Sequence, residues 1–371
     1  MPDPIIKKPN QHFDVLTWTG TGGGSGATRS ITGLNFQPDF IWEKSRSSGT
    51  NHQVLDSVRG VGQNKSIAPS SSGAEPTAAG TESLYGWLSA INSDGFTLTN
   101  GTSTFDNWNK SSDTYVAWNW KAGGAAVTNT SGTISSQVSA NPTAGFSVVA
   151  WTGNGSASAT VGHGLGAVPA MIICKERAGT DSWHIKHRSM ATTVNAYFNG
   201  QNAIYTAAQV GDGMLGDLSS NTTFGFVTAG SPGNVVAVNE NGITNIAYCW
   251  SEIDGYSKFG TYTGNNSTNG PFVYCGFRPR FIMLKRIDGG SESWLMYDAA
   301  RLGYNQLNHA LVPGTNGVED TTAPGSNSNG LGDILSNGFK VRSTGGSNNT
   351  SDATYAFAAF AEAPFKYANA R

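Results

Sequence analysis

Apolar residues along the chain fall in short blocks rather than at helical spacing. Phe146-Ser147-Val148-Val149-Ala150-Trp151 and Trp183-His184-Ile185-Lys186-His187 are β-branched or aromatic runs of strand length, bounded by Gly or Ser. The run Ala170 to Cys174 is apolar at every position, which predicts a central strand covered on both faces. Pro169 stands at its entrance, where a missing N–H costs least. Turn residues recur roughly every 8–12 positions with no long amphipathic period, so the pattern predicts an all-β chain of sandwiches, with jelly-roll wiring one of its options.

The pattern also repeats. Pro38-Asp39-Phe40-Ile41-Trp42-Glu43-Lys44 returns as Pro169-Ala170-Met171-Ile172-Ile173-Cys174-Lys175 and as Pro279-Arg280-Phe281-Ile282-Met283-Leu284-Lys285. Upstream of each copy lies an aromatic-Thr-Gly step, at Trp18, Trp151 and Tyr262; downstream lies a Gly-Phe step, at Gly95, Gly225 and Gly338. Each copy closes on an aromatic strand that places Trp120, Trp250 and Phe360 in equivalent positions. A repeat of this length is one folding unit written three times. The expected organisation is a short arm at 1–11, a first sandwich module at 12–121, and a Gly/Ser/Thr-rich linker at 122–143 that lends one strand over Thr133 to Val138. A second module at 144–254 and a third, with a C-terminal tail, at 255–371 follow. Trp18, Phe40, Trp120, Trp151, Met171, Trp250, Tyr262, Phe281 and Phe360 are the expected core markers.

Composition narrows the function. Charged residues are 13% of the chain, against about 25% in ordinary soluble domains, and Gly reaches 48 of 371. The surface must therefore be Gly, Ser, Thr and Asn, which favour turns over helix interiors. A net charge of −2 supplies no basic field for phosphates, so nucleic acid is not an expected partner. No apolar run reaches the length of a membrane span, and the first residues have no signal-peptide core. Cys174, Cys249 and Cys275 form no CxxC pair and read as buried free thiols.

Catalytic patterns are missing. No G-x-S-x-G elbow, D-x-D-x-D-G calcium loop or G-K-S/T phosphate loop occurs, and Gly20 to Gly26 precedes no helix. His184 and His187 point to opposite faces of one strand, the wrong geometry for a metal. His163 sits in a Gly-rich bend, where a side-chain bond to backbone is the commoner use. The acidic residues show no repeated facing pair of the kind glycoside cleavage needs. The expectation is a non-enzyme without catalytic residues, cofactor or metal. Lys44 with Arg46, Lys175 with Arg177, and Lys285 with Arg286 recur after each central strand, and recurrence favours a structural task such as covering an aromatic or charging a sheet edge. Trp87 and Trp108 occur only in the first copy. They are candidates for ligand or partner contact, with core filling the competing role.

The phrases Leu34 to Lys44, Val161 to Gly166, Phe272 to Pro279 and Tyr355 to Arg371 resemble the tandem β-sandwich modules of tail-fibre-like and other virion proteins of tailed phages, especially marine ones. The resemblance runs from about residue 11 to 371. It implies a lectin-like sandwich fold and a structural virion protein, assembled in the host cytoplasm and displayed on the particle surface. A tail-fibre-like appendage for host contact leads. A capsid decoration and a glycan-binding receptor module remain alternatives. Expected partners are other virion proteins, a host-surface glycan and further copies of the chain, a trimer among the options. The arm, with Ile5, Ile6, Lys7 and Lys8, is the expected particle anchor. The absence of heptads or a shaft departs from a long fibre.

Overall fold

The computed structural model describes residues 3–76, 81–103, 107–156, 158–198, 204–206, 214–227, 238–290, 292–302, 305–325 and 328–364. Met1 and Pro2 of the expected arm and residues 365–371 of the expected tail lie outside the described residues. Strand makes up 43% and helix 3%; every sheet is antiparallel, and none of the described strands closes a barrel.

The first sequence repeat carries β1 (Phe13–Thr19), β2 (Thr28–Thr32), β3 (Phe40–Ser45), β4 (Gln53–Asp56), β5 (Trp87–Asn92), β6 (Gly95–Thr99) and β7 (Thr114–Trp120). Next come β8 (Val127–Asn129), β9 (Ser136–Asn141), β10 (Phe146–Thr152), β11 (Thr160–Gly162), β12 (Met171–Glu176), β13 (His184–His187), β14 (Val194–Tyr197), β15 (Tyr205–Thr206), β16 (Met214–Leu215), β17 (Thr223–Val227) and β18 (Thr244–Trp250). The last repeat holds β19 (Ser257–Thr263), β20 (Phe272–Tyr274), β21 (Phe277–Arg286), β22 (Leu295–Asp298), β23 (Gly332–Leu335), β24 (Gly338–Val341) and β25 (Thr354–Pro364).

The wiring recurs. Orders β1-β7-β3-β4, β10-β18-β12-β13 and β19-β25-β21-β22 form three large sheets, and β2-β6-β5, β11-β17-β16 and β20-β24-β23 form three small ones. Register recurs as well: Trp120 pairs with Phe13 and Phe40, Trp250 with Phe146 and Met171, and Phe360 with Ser257 and Phe281. Because side chains alternate across a strand, each central strand serves two cores. Ile41, Ile172 with Cys174, and Ile282 with Leu284 face the small sheet of their own repeat. Phe40 with Trp42, Met171 with Ile173, and Phe281 with Met283 face a fourth core shared by all three repeats.

That shared core is aromatic. Trp120 lies 5.9 Å from Trp250 and 5.4 Å from Phe360, centroid to centroid, and Phe13, Phe40, Phe146 and Phe281 surround them. Edge and tilted pairs of this kind add about 0.5–1.5 kcal/mol each beyond area burial. The void left among them is apolar and only ≈ 10 Å³, about the space of one water. All nine expected core markers are buried, six on this axis and Trp18, Trp151 and Tyr262 between the paired sheets.

The recurrent Gly after the aromatic-Thr step has a steric cause. A Cβ at Gly20, Gly153 or Gly264 would collide with the carbonyl oxygen of Lys110, Glu240 or Thr350 respectively.

Two expectations need correction. Segment 122–143 carries two strands rather than one, because β9 pairs with the open edge of β10 and β8 with β9; with β14 and β15 beyond β13 on the other edge, that sheet has eight strands. The arm is not free: Ile6 is 3% exposed and joins the shared core, and Pro9 is buried in a 3-10 turn, Pro9–Gln11. An isoleucine at the open end of an aromatic core gains more from burial than from display. Ile5, Lys7 and Lys8 stay exposed.

Candidate functional site

The repeated lysines go inward. Lys44, Lys175 and Lys285 are buried, and each ammonium donates to carbonyl oxygens of the turn after its strand: Ser45 and Ser48, Glu176 and Gly179, and Glu292. Burial pulls all three down to about 8. They tie off a loop rather than cover an aromatic or charge an edge.

The repeated arginines reach between repeats. Arg177 binds Glu75 of the first repeat at 2.6 Å, and Arg46 binds Glu319 of the third at 2.8 Å. Each glutamate also holds a second, fully buried arginine: Glu75 takes Arg59 and Glu319 takes Arg301. Those arginines pair in turn with Asp56 and Asp298 at 2.5 and 2.6 Å. Both aspartates accept a bond from the neighbouring repeat, Asp56 from the Tyr248 hydroxyl and Asp298 from the Trp118 indole N–H. Burial pushes the Asp298 carboxyl up, but Arg301 and the hydrogen bonds bring it below its ordinary value. The third repeat's Arg286 pairs only with its own Asp288.

Sequence reasoning passed over this motif. Asp56-Ser57-Val58-Arg59 and Asp298-Ala299-Ala300-Arg301 are visible once the repeats are aligned; the second repeat has His187-Arg188-Ser189-Met190 there. His187 is buried, which holds it down to about 4, with its Nε2–H donating to the carbonyl oxygen of Phe357 of the third repeat. His184 points the other way, edge-on to Tyr197, so the two imidazoles do diverge.

The two unrepeated tryptophans are not a pair. Trp108 is 1% exposed in the core of the first repeat, and its carbonyl accepts the Trp18 indole N–H. It packs the core and also lines a cleft on that side of the first repeat. Trp87 is half-buried at the start of β5. That cleft measures ≈ 510 Å³, and Trp87 is not among its lining residues. Thr50, Asn51, Ser66, Ser71 and Asn107 line it with half-buried Tyr85, and exposed Asn316 closes one wall from the third repeat. Exposed aromatics occur elsewhere, at Phe272 and Tyr274 on the edge strand β20.

Residues 8–364 match the model of a family described as a domain of unknown function, DUF7483. The chain belongs to that family. No curated protein and no solved structure matches it. One family model thus spans all three repeats, in keeping with a core that all three build together.

Among the described residues no group of three or more His, Cys, Asp or Glu side chains could hold a metal, and no helix is long and apolar enough to cross a membrane. The three cysteines are unpaired and buried, and burial pushes their thiols up, which keeps them protonated. The buried ions between repeats are already saturated by one another. What this arrangement offers a partner is shape and uncharged hydrogen-bonding surface.

Proposed function

We propose that this chain is a non-enzymatic structural protein of a tailed-phage virion, three β-sandwich modules closed around one axis and used as a host-contacting appendage. The observation that carries the reading is the shared axial core. Three repeats that bury their back sheets in one dry aromatic core form a single rigid block, and their buried charges hold modules together rather than face a substrate. The resemblance of the module phrases to virion proteins supplies the particle. The threefold arrangement that a fibre usually takes from three chains is supplied here by three repeats of one chain.

A head ornament is the second reading, favoured by the closure of the described residues into a block without a shaft. In either case Ile5, Lys7 and Lys8, beside the anchored Ile6, are the arm residues free to touch the particle. Gold-labelled antibody against the chain, applied to purified particles, tests the proposal. Label at the tail supports the appendage and label on the head supports the ornament. Particles that neither bind label nor contain the chain on a denaturing gel would overturn both.

A further inference from the structure

We propose that the cleft bounded by Tyr85, Asn51 and Asn316 is a binding site for a neutral saccharide. Three observations converge on that chemistry. First, not one of its lining residues carries a charge, although charged side chains lie next door. Glu75 stands between the lining residues Ala74 and Pro76, yet its carboxylate turns to Arg59 and Arg177. Among the described residues an anion would meet no cation in the cleft, and a cation no carboxylate.

Second, the lining is rich in hydroxyl and amide groups. An apolar ligand would desolvate them without return, since each buried polar group left unpaired is costly. Thr50 already has its Oγ1 shielded from water with no partner among the described residues. A ligand carrying many hydroxyls satisfies such a wall, and the half-buried Tyr85 offers a ring face for the C–H side of a sugar. The volume of ≈ 510 Å³ lies inside the usual range for small-molecule sites.

Third, both walls are fixed before anything binds. The loop bearing Ser66, Ser71 and Ala74 is pinned by Glu75 to Arg59 and Arg177, and the loop bearing Asn316 is pinned by Glu319 to Arg46 and Arg301. Loops held by ion pairs lose little further freedom on binding, which is what an uncharged ligand held only by hydrogen bonds and stacking needs.

The assignment stands on the cleft and not on the virion reading, since glycan binding by the purified chain and particle labelling can fail separately. The purified full chain is applied to an array of neutral and acidic bacterial polysaccharides. The expected result is retention on one or more neutral glycans, competed by the free oligosaccharide. Affinity should fall at least about tenfold in Tyr85→Ala and in Asn316→Ala, with Trp87→Ala unchanged. Asn316 is exposed, so its variant tests the site even where Tyr85→Ala fails to fold. Retention confined to acidic glycans, no retention at all, or full binding by Asn316→Ala together with a folded Tyr85→Ala would overturn the proposal.

Discussion

Where the first repeat meets the second, the turn after β4 is fixed by Asp56, whose Oδ1 accepts the backbone N–H of Val58 and Arg59 while its Oδ2 holds Arg59 and Tyr248. Where the third meets the first, Asp298 does the same with Ala300, Arg301 and Trp118. Where the second meets the third, His187 takes the place of the aspartate: its Nδ1 accepts the backbone N–H of Ser189 and its Nε2–H crosses to Phe357. The backbone task is the same at all three seams. What differs is charge. A carboxylate needs a buried cation, so two seams enclose Asp-Arg-Glu-Arg chains, whereas an imidazole can do the work neutral. Ala358, at the position of Trp118 and Tyr248, offers no side-chain donor, which explains why the third seam uses a backbone carbonyl.

The largest effect should come from breaking one charged seam. Arg301→Met leaves Asp298 buried without its counter-ion, and removing one partner of a buried pair typically costs about 3–5 kcal/mol. Importing the other solution, Asp298→His with Arg301→Met, should restore only part of that loss, because it removes the unpaired carboxylate but leaves the Trp118 indole N–H without its acceptor. Denaturant unfolding of the wild type, the single variant and the double variant measures this. A single variant within about 1 kcal/mol of wild type would show that the ion chain does not hold the seam.

The seam at His187, whose ion pairs of Glu252 with Lys258 and Arg188 are partly open to water, should instead respond to acid. His187 has a folded value near 4, below the unfolded 6.5, so between those limits the unfolded chain binds more protons and stability falls as pH falls. Above pH 6.5 the imidazole contributes no pH dependence. At about 1.4 kcal/mol for each pH unit of the window, the loss on acidification is at most about 3 kcal/mol. His184, held near 3 by burial, titrates in the same direction, so the informative quantity is the difference between wild type and His187→Asn. Asparagine can accept from Ser189 and donate to Phe357 without titrating. The variant's melting temperature should fall less steeply from pH 6.5 to 4; an unchanged slope would remove His187 as the acid-sensitive point.

How far the sequence reaches is instructive in this light. The central strands, their twofold burial and the recurrence were legible because Phe40-Ile41-Trp42, Met171-Ile172-Ile173 and Phe281-Ile282-Met283 need cover on both faces. Such a run does not say what supplies the second cover, and here it is the other two repeats. The same ambiguity hid Ile6, which reads as part of a proline-rich arm until the open end of the shared core is seen. Lys44 and its counterparts read as surface charges because burial of an ammonium is costly; they tolerate it only where turn carbonyls converge on them, a geometry no spacing reveals. Of the two unrepeated tryptophans Trp108 lines the cleft and Trp87 does not; Tyr85 and Asn51 lie in loops whose approach to Asn316 depends on the Glu75 and Glu319 anchors.

The smallest expected effect sharpens the same contrast at the arginines that follow the repeated lysine, two residues on in the first two repeats and one residue on in the third, where Ile287 takes the backbone place of Arg46 and Arg177. Arg46, Arg177 and Arg286 all follow the repeated lysine, yet only the first two bridge repeats. Arg177→Ala leaves the nearly buried Glu75 with Arg59 alone and removes one charge-assisted bond, a loss of about 1–3 kcal/mol. Arg286 and Asp288 are both partly open to water, and the aspartate keeps the backbone N–H of Thr354 when the arginine is gone. Arg286→Ala should therefore shift stability by no more than about 0.5 kcal/mol. If the two substitutions cost the same, the bridge from Arg177 to Glu75 holds no more than an open surface pair, and the seam between the first two repeats does not depend on it.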